Sequence, residues 1–170
     1  MLLRMTNATR PRPQQPSSLQ RELKQRRPFT SPQQEALVAL LHTADLVRRH
    51  IGRALQPHDV TLQQFNVLRI LRGAGEAGLP TLEIAERMIE RAPGITRLID
   101  RLETAGLVLR ERSTKDRRTV ICRATAKALV LLASLDAAVD AADDAALGML
   151  SEPVRRQLIR ILDSIRAATP

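Results

Sequence analysis

Arg97 and Arg101 stand one helical turn apart in the segment PGITRLIDRLET, residues 93–104. Ile95, Leu98, Ile99 and Leu102 recur there at i, i+3, i+4 and i+7, the spacing of one apolar helix face. Thr96, Arg97, Asp100, Arg101 and Glu103 fall on the opposite side. A second basic group, Lys115, Arg117 and Arg118, lies in the polar run STKDRR between two strand-like stretches, LVLR and TVICR. Guanidinium and ammonium groups only donate hydrogen bonds, so both sets are suited to anionic or acceptor-rich partners. Gly94 and Thr96 sit at the start of the arginine-bearing segment, where backbone N–H groups at a helix N-terminus favour phosphate.

Other reactive residue types give a weaker signal. Cys122 alternates with Val120 and Ala124 on one strand face, which is expected to pack inward. A buried thiol is inert unless its pKa is lowered. His42 and His50 are eight residues apart and share a helix face only approximately, and His58 lies beyond them. No second cysteine or close His/Glu pair completes a metal set, so no metal and no cofactor is expected. The chain also lacks a Gly-rich phosphate loop and a Ser/His/Asp arrangement, and an enzyme is the poorer reading.

The elements that must position the basic groups follow from local signals. A short helix is expected from Thr81 to about Ile89, with Thr81 as its N-cap and Leu82, Ile84, Ala85, Met88 and Ile89 on its apolar side. Pro93 and Gly94 restart the chain, and the second helix runs from about Pro93 to Thr104. Gly106 stands where a helix end needs a left-handed residue. Two helices, a tight break and a basic hairpin make a winged helix-turn-helix. Such a unit suits double-stranded DNA: a helix fits the major groove, and a basic hairpin tip enters the neighbouring minor groove. Thr81 is a further candidate for phosphate contact, with pure capping as the alternative.

The segment also resembles the MarR family of bacterial transcriptional regulators. The resemblance rests on the turn Leu102-Glu103-Thr104-Ala105-Gly106-Leu107-Val108 and on the wing Asp116-Arg117-Arg118, followed after five residues by Ala124-Thr125-Ala126-Lys127-Ala128. Ala124 stands where the family pattern has leucine, and Ala128 where it has glycine. The resemblance covers roughly residues 33–167. It implies that Asp116 holds the hairpin while a wing arginine enters the minor groove, with Arg117 chosen for insertion and Arg118 as the shape-holding partner. It also implies a triangular homodimer, interlocked through the first and the last two helices. A small phenolic or anionic effector would bind between those helices and the DNA reader. Family members that sense peroxides carry a cysteine near the N-terminal helix, where this chain has none.

The rest of the chain frames that reader. Net charge is +9, but residues 1–30 hold seven basic side chains and one acidic, so two-thirds of the excess lies there. That segment is rich in proline and glutamine and reads as a disordered basic tail up to about Pro28, within which LQRELKQRR is able to form a transient helix. It is either an unselected extension or a phosphate contact that adds salt-dependent affinity. Ser31-Pro32-Gln33-Gln34 and Thr61-Leu62-Gln63-Gln64 are capping-box patterns. A long helix over 31–56 carries the stripe Leu37, Leu40, Leu41, Ala44, Val47, Ile51 and Leu55. The segment GAGEAGLP reads as a loop. A second long helix, 125–148, carries Leu129, Leu132, Leu135, Val139 and Ala142, and Ser151 is expected to cap a last helix over 151–167.

The expected fold is therefore mainly α with a small β-wing: a reader over 61–123 flanked by three long dimerisation helices, all within 31–170. Long apolar stripes on those flanks need a partner, and a two-fold dimer supplies one. No apolar run reaches the roughly 20 residues that span a bilayer, and no secretory signal is visible. One cysteine excludes an intramolecular disulfide, and a cytoplasmic protein is the simplest expectation. The function expected is sequence-specific regulation of transcription by a homodimeric repressor released by a small effector. A non-sensing architectural DNA-binding protein and a winged-helix protein-interaction module are the alternatives.

Overall fold

A computed structural model describes residues 17–90, 94–113, 116 and 118–169. The described chain forms α1 (Ser18–Glu22), α2 (Pro32–Leu55), α3 (Leu62–Ala74), β1 (Leu79–Pro80), α4 (Thr81–Arg87), α5 (Ile95–Thr104), β2 (Val108–Arg112), β3 (Val120–Ala124), α6 (Ala126–Leu147) and α7 (Glu152–Ala168). It divides into two units, residues 1–45 and 46–170.

The first unit holds α1 and the first part of α2. Ser17 caps α1 by accepting from the Gln20 N–H at 3.2 Å, and Leu19 and Gln20 are buried. Residues 18–22 are thus helical, overlapping the stretch LQRELKQRR read as a transient helix within the otherwise disordered tail, because a serine cap satisfies an end that would otherwise stay open. At the start of α2, Ser31 Oγ accepts from the Gln34 N–H. The reciprocal bond of a capping box comes instead from Thr30, whose N–H and hydroxyl both donate to Gln34 Oε1. Leu37 and Leu41 are exposed at 58% and 63%.

In the second unit α3 is the hub and packs against α4, α5, α6 and β3. Its capping box is complete: Thr61 Oγ1 accepts from the Gln64 N–H at 3.2 Å, and the Thr61 N–H donates to Gln64 Oε1 at 2.9 Å. Phe65, Val67, Leu68 and Leu71 of α3 join Leu55, Ile84, Ile99, Leu102, Cys122, Leu132 and Leu135 in one buried core. The α6 stripe contributes Ala128, Leu132, Leu135, Val139 and Ala142, whereas Leu129 turns outward at 44% exposure. Ala128, at 0% exposure, stands where a larger side chain would have to displace this core. On α7, Ser151 occupies the N-cap but makes no capping bond, and Val154, Ile161 and Ile165 stay 44%, 50% and 42% exposed.

The sheet differs from the expected hairpin by one strand. Residues 79–80, read as loop, pair antiparallel with β3, Leu79 opposite Cys122 and Pro80 opposite Ile121, giving the order β1-β3-β2. Gly78 makes this approach feasible. Its φ is +64°, and a β-carbon there would lie 2.5 Å from the Cys122 carbonyl oxygen. The strand also moves the start of α4. Pro80 is the extended N-cap residue and Thr81 is already helical, so Thr81 does not cap. Its hydroxyl lies 3.6 Å from Cys122 Sγ instead. Helix α4 ends at Arg87, short of the expected Ile89, with Met88 as its extended C-cap; Ile84 and Met88 are buried, but Leu82 and Ile89 are 72% and 84% exposed. Seven residues make about two turns, too few to turn five apolar side chains inward.

Candidate nucleic-acid interface

The site is built on α5. Gly94 is its N-cap, with φ +96°, and Ile95 its first helical residue; Pro93 lies outside the described residues. At the other end Gly106, φ +70°, closes a Schellman motif: the Gly106 N–H donates to Glu103 O at 2.8 Å and the Leu107 N–H to Leu102 O at 2.9 Å. Ile99 and Leu102 are fully buried, and Ile95 and Leu98 pack against the core. With that side fixed, Gly94, Thr96, Arg97 and Arg101 are all exposed. Neither arginine has an ion-pair partner among the described residues.

The carboxylates of the same helix have one, and it is not a neighbouring arginine. Arg110, on β2, pairs with Asp100 at 2.7 Å and also holds Glu103 through Nε, at 2.8 Å, and Nη2. The hydrogen bond from Arg110 keeps the Glu103 carboxyl below the usual carboxylate range, and the same bond raises the Arg110 guanidinium. The negative charges of α5 are thereby drawn toward the wing strand. Arg97 and Arg101 stay exposed without an ion-pair partner among the described residues, whereas Asp100 and Glu103, though partly exposed, are paired. Arg110 carried no helix-periodicity signal in the sequence, and only the fold brings it beside Asp100 and Glu103.

The turn between α4 and α5 is tied at its start. Asn66 Oδ1, from α3, accepts from the Ile89 N–H at 3.0 Å. Arg48, from α2, pairs closely with Glu90. Neither residue was legible as part of the site, since each acts across more than twenty residues of chain. On α6, Thr125 Oγ1 donates to Gly106 O at 2.8 Å and accepts from the Ala128 N–H at 3.2 Å. One threonine therefore caps α6 and anchors the end of α5. Lys127 Nζ adds a bond to Ala105 O at 2.8 Å.

At the wing, Asp116 gathers the turn. Its Oδ1 accepts from the Arg118 N–H at 2.9 Å and its Oδ2 from the Thr119 hydroxyl at 2.9 Å. These bonds, the Arg118 N–H first, hold the Asp116 carboxyl below its ordinary pKa. Its carbonyl accepts from the Thr119 N–H, and the Ser113 N–H donates to Thr119 O across the strand ends, both at 2.9 Å. Arg118 is engaged through its backbone, and its exposed guanidinium has no partner among the described residues. Lys115 and Arg117 lie outside the described residues. Cys122 is fully buried, and burial pushes its thiol up, which makes it a poor nucleophile. His42 lies 3.7 Å from Glu22, and His50 Nε2 is buried without a hydrogen-bond partner among the described residues.

Comparison with known proteins places this arrangement. The MarR family profile matches residues 60–120. A MarR transcription factor from Planctomyces limnophilus is 38% identical, with 79% of this chain and 98% of that one covered and a TM-score of 0.62. The HTH-type transcriptional repressor Rv2887 of Mycobacterium tuberculosis is 29% identical over 74% of this chain and 89% of its own length. A crystal structure of Rv2887 in complex with salicylic acid superposes with a TM-score of 0.59. CouR from Rhodococcus jostii RHA1, solved bound to p-coumaroyl-CoA, is 26% identical, covers 84% of this chain and 99% of its own, and gives a TM-score of 0.70. With a helix-turn-helix seated on α3, a three-stranded wing and a relative 38% identical over nearly its whole length, the chain belongs to the MarR family and is a DNA-binding transcriptional regulator.

Proposed function

We propose that the chain is a repressor that binds a pseudo-palindromic operator as a homodimer and is released from it by a small phenolic or anionic molecule. The observation that carries the DNA contact is the sorting of charge on α5. Arg97 and Arg101 face solvent, while Asp100 and Glu103 are held by Arg110. In this reading Arg97 and Arg101 enter the major groove, and Gly94 and Thr96 present the helix start to phosphate. Asp116 holds the wing. Arg117 enters the minor groove, with Lys115 and Arg118 beside it. Thr81 is the weakest of these contacts, because its hydroxyl is turned to Cys122.

The exposed apolar residues of α7, and separately those of the first half of α2, support a second copy as partner, since exposed apolar surface on an amphipathic helix needs covering. A two-fold dimer sets its recognition helices about 34 Å apart, one turn of DNA. The ligands carried by the Rv2887 and CouR structures support the effector class. An open groove of about 510 Å³ along α2 is lined by Leu46, Arg49, Gly52, Arg53 and Gln56. The test is anisotropy binding to the DNA upstream of the chain's own coding region, in moderate salt with competitor. Competitor-resistant binding that Arg97→Ala/Arg101→Ala abolishes and salicylate weakens supports the whole reading; binding indifferent to both arginines removes it. Light scattering at the working concentration reads the dimer.

A further inference from the structure

The strands β2 and β3 and the turn between them carry Arg110, Arg112, Arg118 and Arg123 among the described residues. Two of the four are occupied. Arg110 is held by Asp100 and Glu103, and Arg123 pairs with Glu111 and donates to the Glu76 carbonyl at 2.6 Å. Arg112 is exposed, and its guanidinium has no ion-pair partner among the described residues. Its chain neighbour Glu111 lies on the other face of the strand and is taken by Arg123.

The register of the sheet says where Arg112 stands. Side chains alternate along a strand, so Val108, Arg110 and Arg112 share one face of β2. That face meets α5: Val108 is buried, and Arg110 reaches Asp100 at 2.7 Å and Glu103 at 2.8 Å. Arg112 follows Arg110 by two residues, about 6.8 Å of strand, and is the last residue of β2 before the wing tip. Val120 lies opposite it across the ladder, and the Ser113 N–H donates to Thr119 O at 2.9 Å just beyond. The backbone is thus fixed on both sides, and Val120 offers the arginine stem an apolar neighbour. A recognition helix in a major groove and a wing tip in the adjacent minor groove have one sugar-phosphate strand between them. The unpaired cation that the sheet places between α5 and the tip is Arg112.

With DNA as the ligand of the winged helix, a reading on which this rests, we infer that Arg112 clamps the phosphate backbone between the groove read by α5 and the groove entered by the wing tip. Such a contact sets the position of the reader on the duplex and carries no base preference.

The test measures affinity for the upstream DNA and for a random-sequence duplex from 50 to 200 mM salt. The variants are Arg112→Gln, Arg112→Lys and Arg69→Gln. The last removes an exposed cation from α3, where the guanidinium lies 5.7 Å from the Phe65 ring. One phosphate contact contributes about 0.9 to the slope of log affinity against log salt. Arg112→Gln therefore loses roughly 3.5-fold less affinity than the parent across that range. At 50 mM it binds both duplexes roughly three- to tenfold more weakly and keeps its preference for upstream DNA. Arg112→Lys retains the parent's slope, and so does Arg69→Gln. An unchanged slope for Arg112→Gln overturns the clamp, as does an equal change for Arg69→Gln, which makes the effect one of net charge. A fall confined to the upstream duplex also overturns it, because Arg112 then reads a base. If Arg112→Gln unfolds, a lowered slope for Arg112→Lys, whose charge is kept, overturns the phosphate contact. Arg97→Ala/Arg101→Ala tells the two failures apart: bound as tightly as the parent, it removes the winged-helix reading and the clamp together; with binding abolished and Arg112→Gln unchanged, the clamp alone fails.

Discussion

Replacing Ile99 by alanine tests the orientation of the recognition helix, and with it the reasoning about which side meets DNA. Ile99 is at 0% exposure, between Arg97 and Arg101, which are exposed. The substitution removes three carbon groups from a closed core, about 2.4 kcal/mol at ~0.8 kcal/mol per buried group. The cavity left behind brings the total to roughly 3–4 kcal/mol. In a chain of this size each kcal/mol shifts the unfolding midpoint by roughly 2–4 °C, so a fall of about 6–16 °C is expected. The assay is thermal unfolding followed by helical circular dichroism, at fixed protein concentration because the midpoint of the proposed dimer would depend on it. DNA affinity measured well below the midpoint stays within about threefold of the parent. The double variant Arg97→Ala/Arg101→Ala inverts this pattern. Its midpoint moves little, as exposed positions usually cost under ~0.5 kcal/mol each, while affinity falls at least tenfold. Equal midpoints for Ile99→Ala and the parent, or a midpoint lowered as far by the arginine changes as by Ile99→Ala, would refute the assigned orientation.

Four further outcomes are expected. Gly78→Ala places a β-carbon 2.5 Å from the Cys122 carbonyl at φ +64°, so stability in urea falls by at least ~1–2 kcal/mol from the left-handed strain alone; an unchanged midpoint would mean that β1 does not pair with β3. Arg110→Gln frees Asp100 and Glu103 to face DNA phosphates and weakens binding roughly three- to tenfold at low salt, less at high salt, whereas unchanged affinity would show that those carboxylates lie away from the duplex. Asp116 has a folded pKa below its unfolded value, so its hold on the wing is complete above about pH 4 and is lost as pH falls through the folded value; an Arg118 amide resonance that fails to shift in that acidic window would contradict the bond. Cys122 is buried with its thiol pushed up, so a thiol reagent at neutral pH reacts quickly only after urea is added, and rapid labelling of the native protein would show an open sheet.

Much of the architecture was legible without the fold. Thr61 and Thr125 cap because the free N–H groups of a helix's first turn need an acceptor within three residues, and sequence order alone provides it. Gly106 is readable because only glycine accepts a left-handed helix end without strain. The apolar spacing of Ile95, Leu98, Ile99 and Leu102 fixed which side of the recognition helix is core and left Arg97 and Arg101 outside it. Each of these signals concerns a backbone need or a periodicity within one turn or two.

Tertiary structure decided what depends on partners distant in the chain. Residues 79–80 became a strand because Ile121 and Cys122 lie beside them, and that pairing took the capping role from Thr81 and turned its hydroxyl to sulfur. Leu82 stayed exposed because the short α4 buries only what faces its neighbours α3, α5, β1 and β3, and Ile89 because the helix ends before it. Asn66 on the Ile89 amide, Arg48 on Glu90 and Arg110 across Asp100 and Glu103 join segments that periodicity treats separately. Local backbone requirements are written residue by residue, so a sequence alone displays them. The neutralisation of a charge and the exposure of an apolar side chain depend on which surfaces the folded chain brings together.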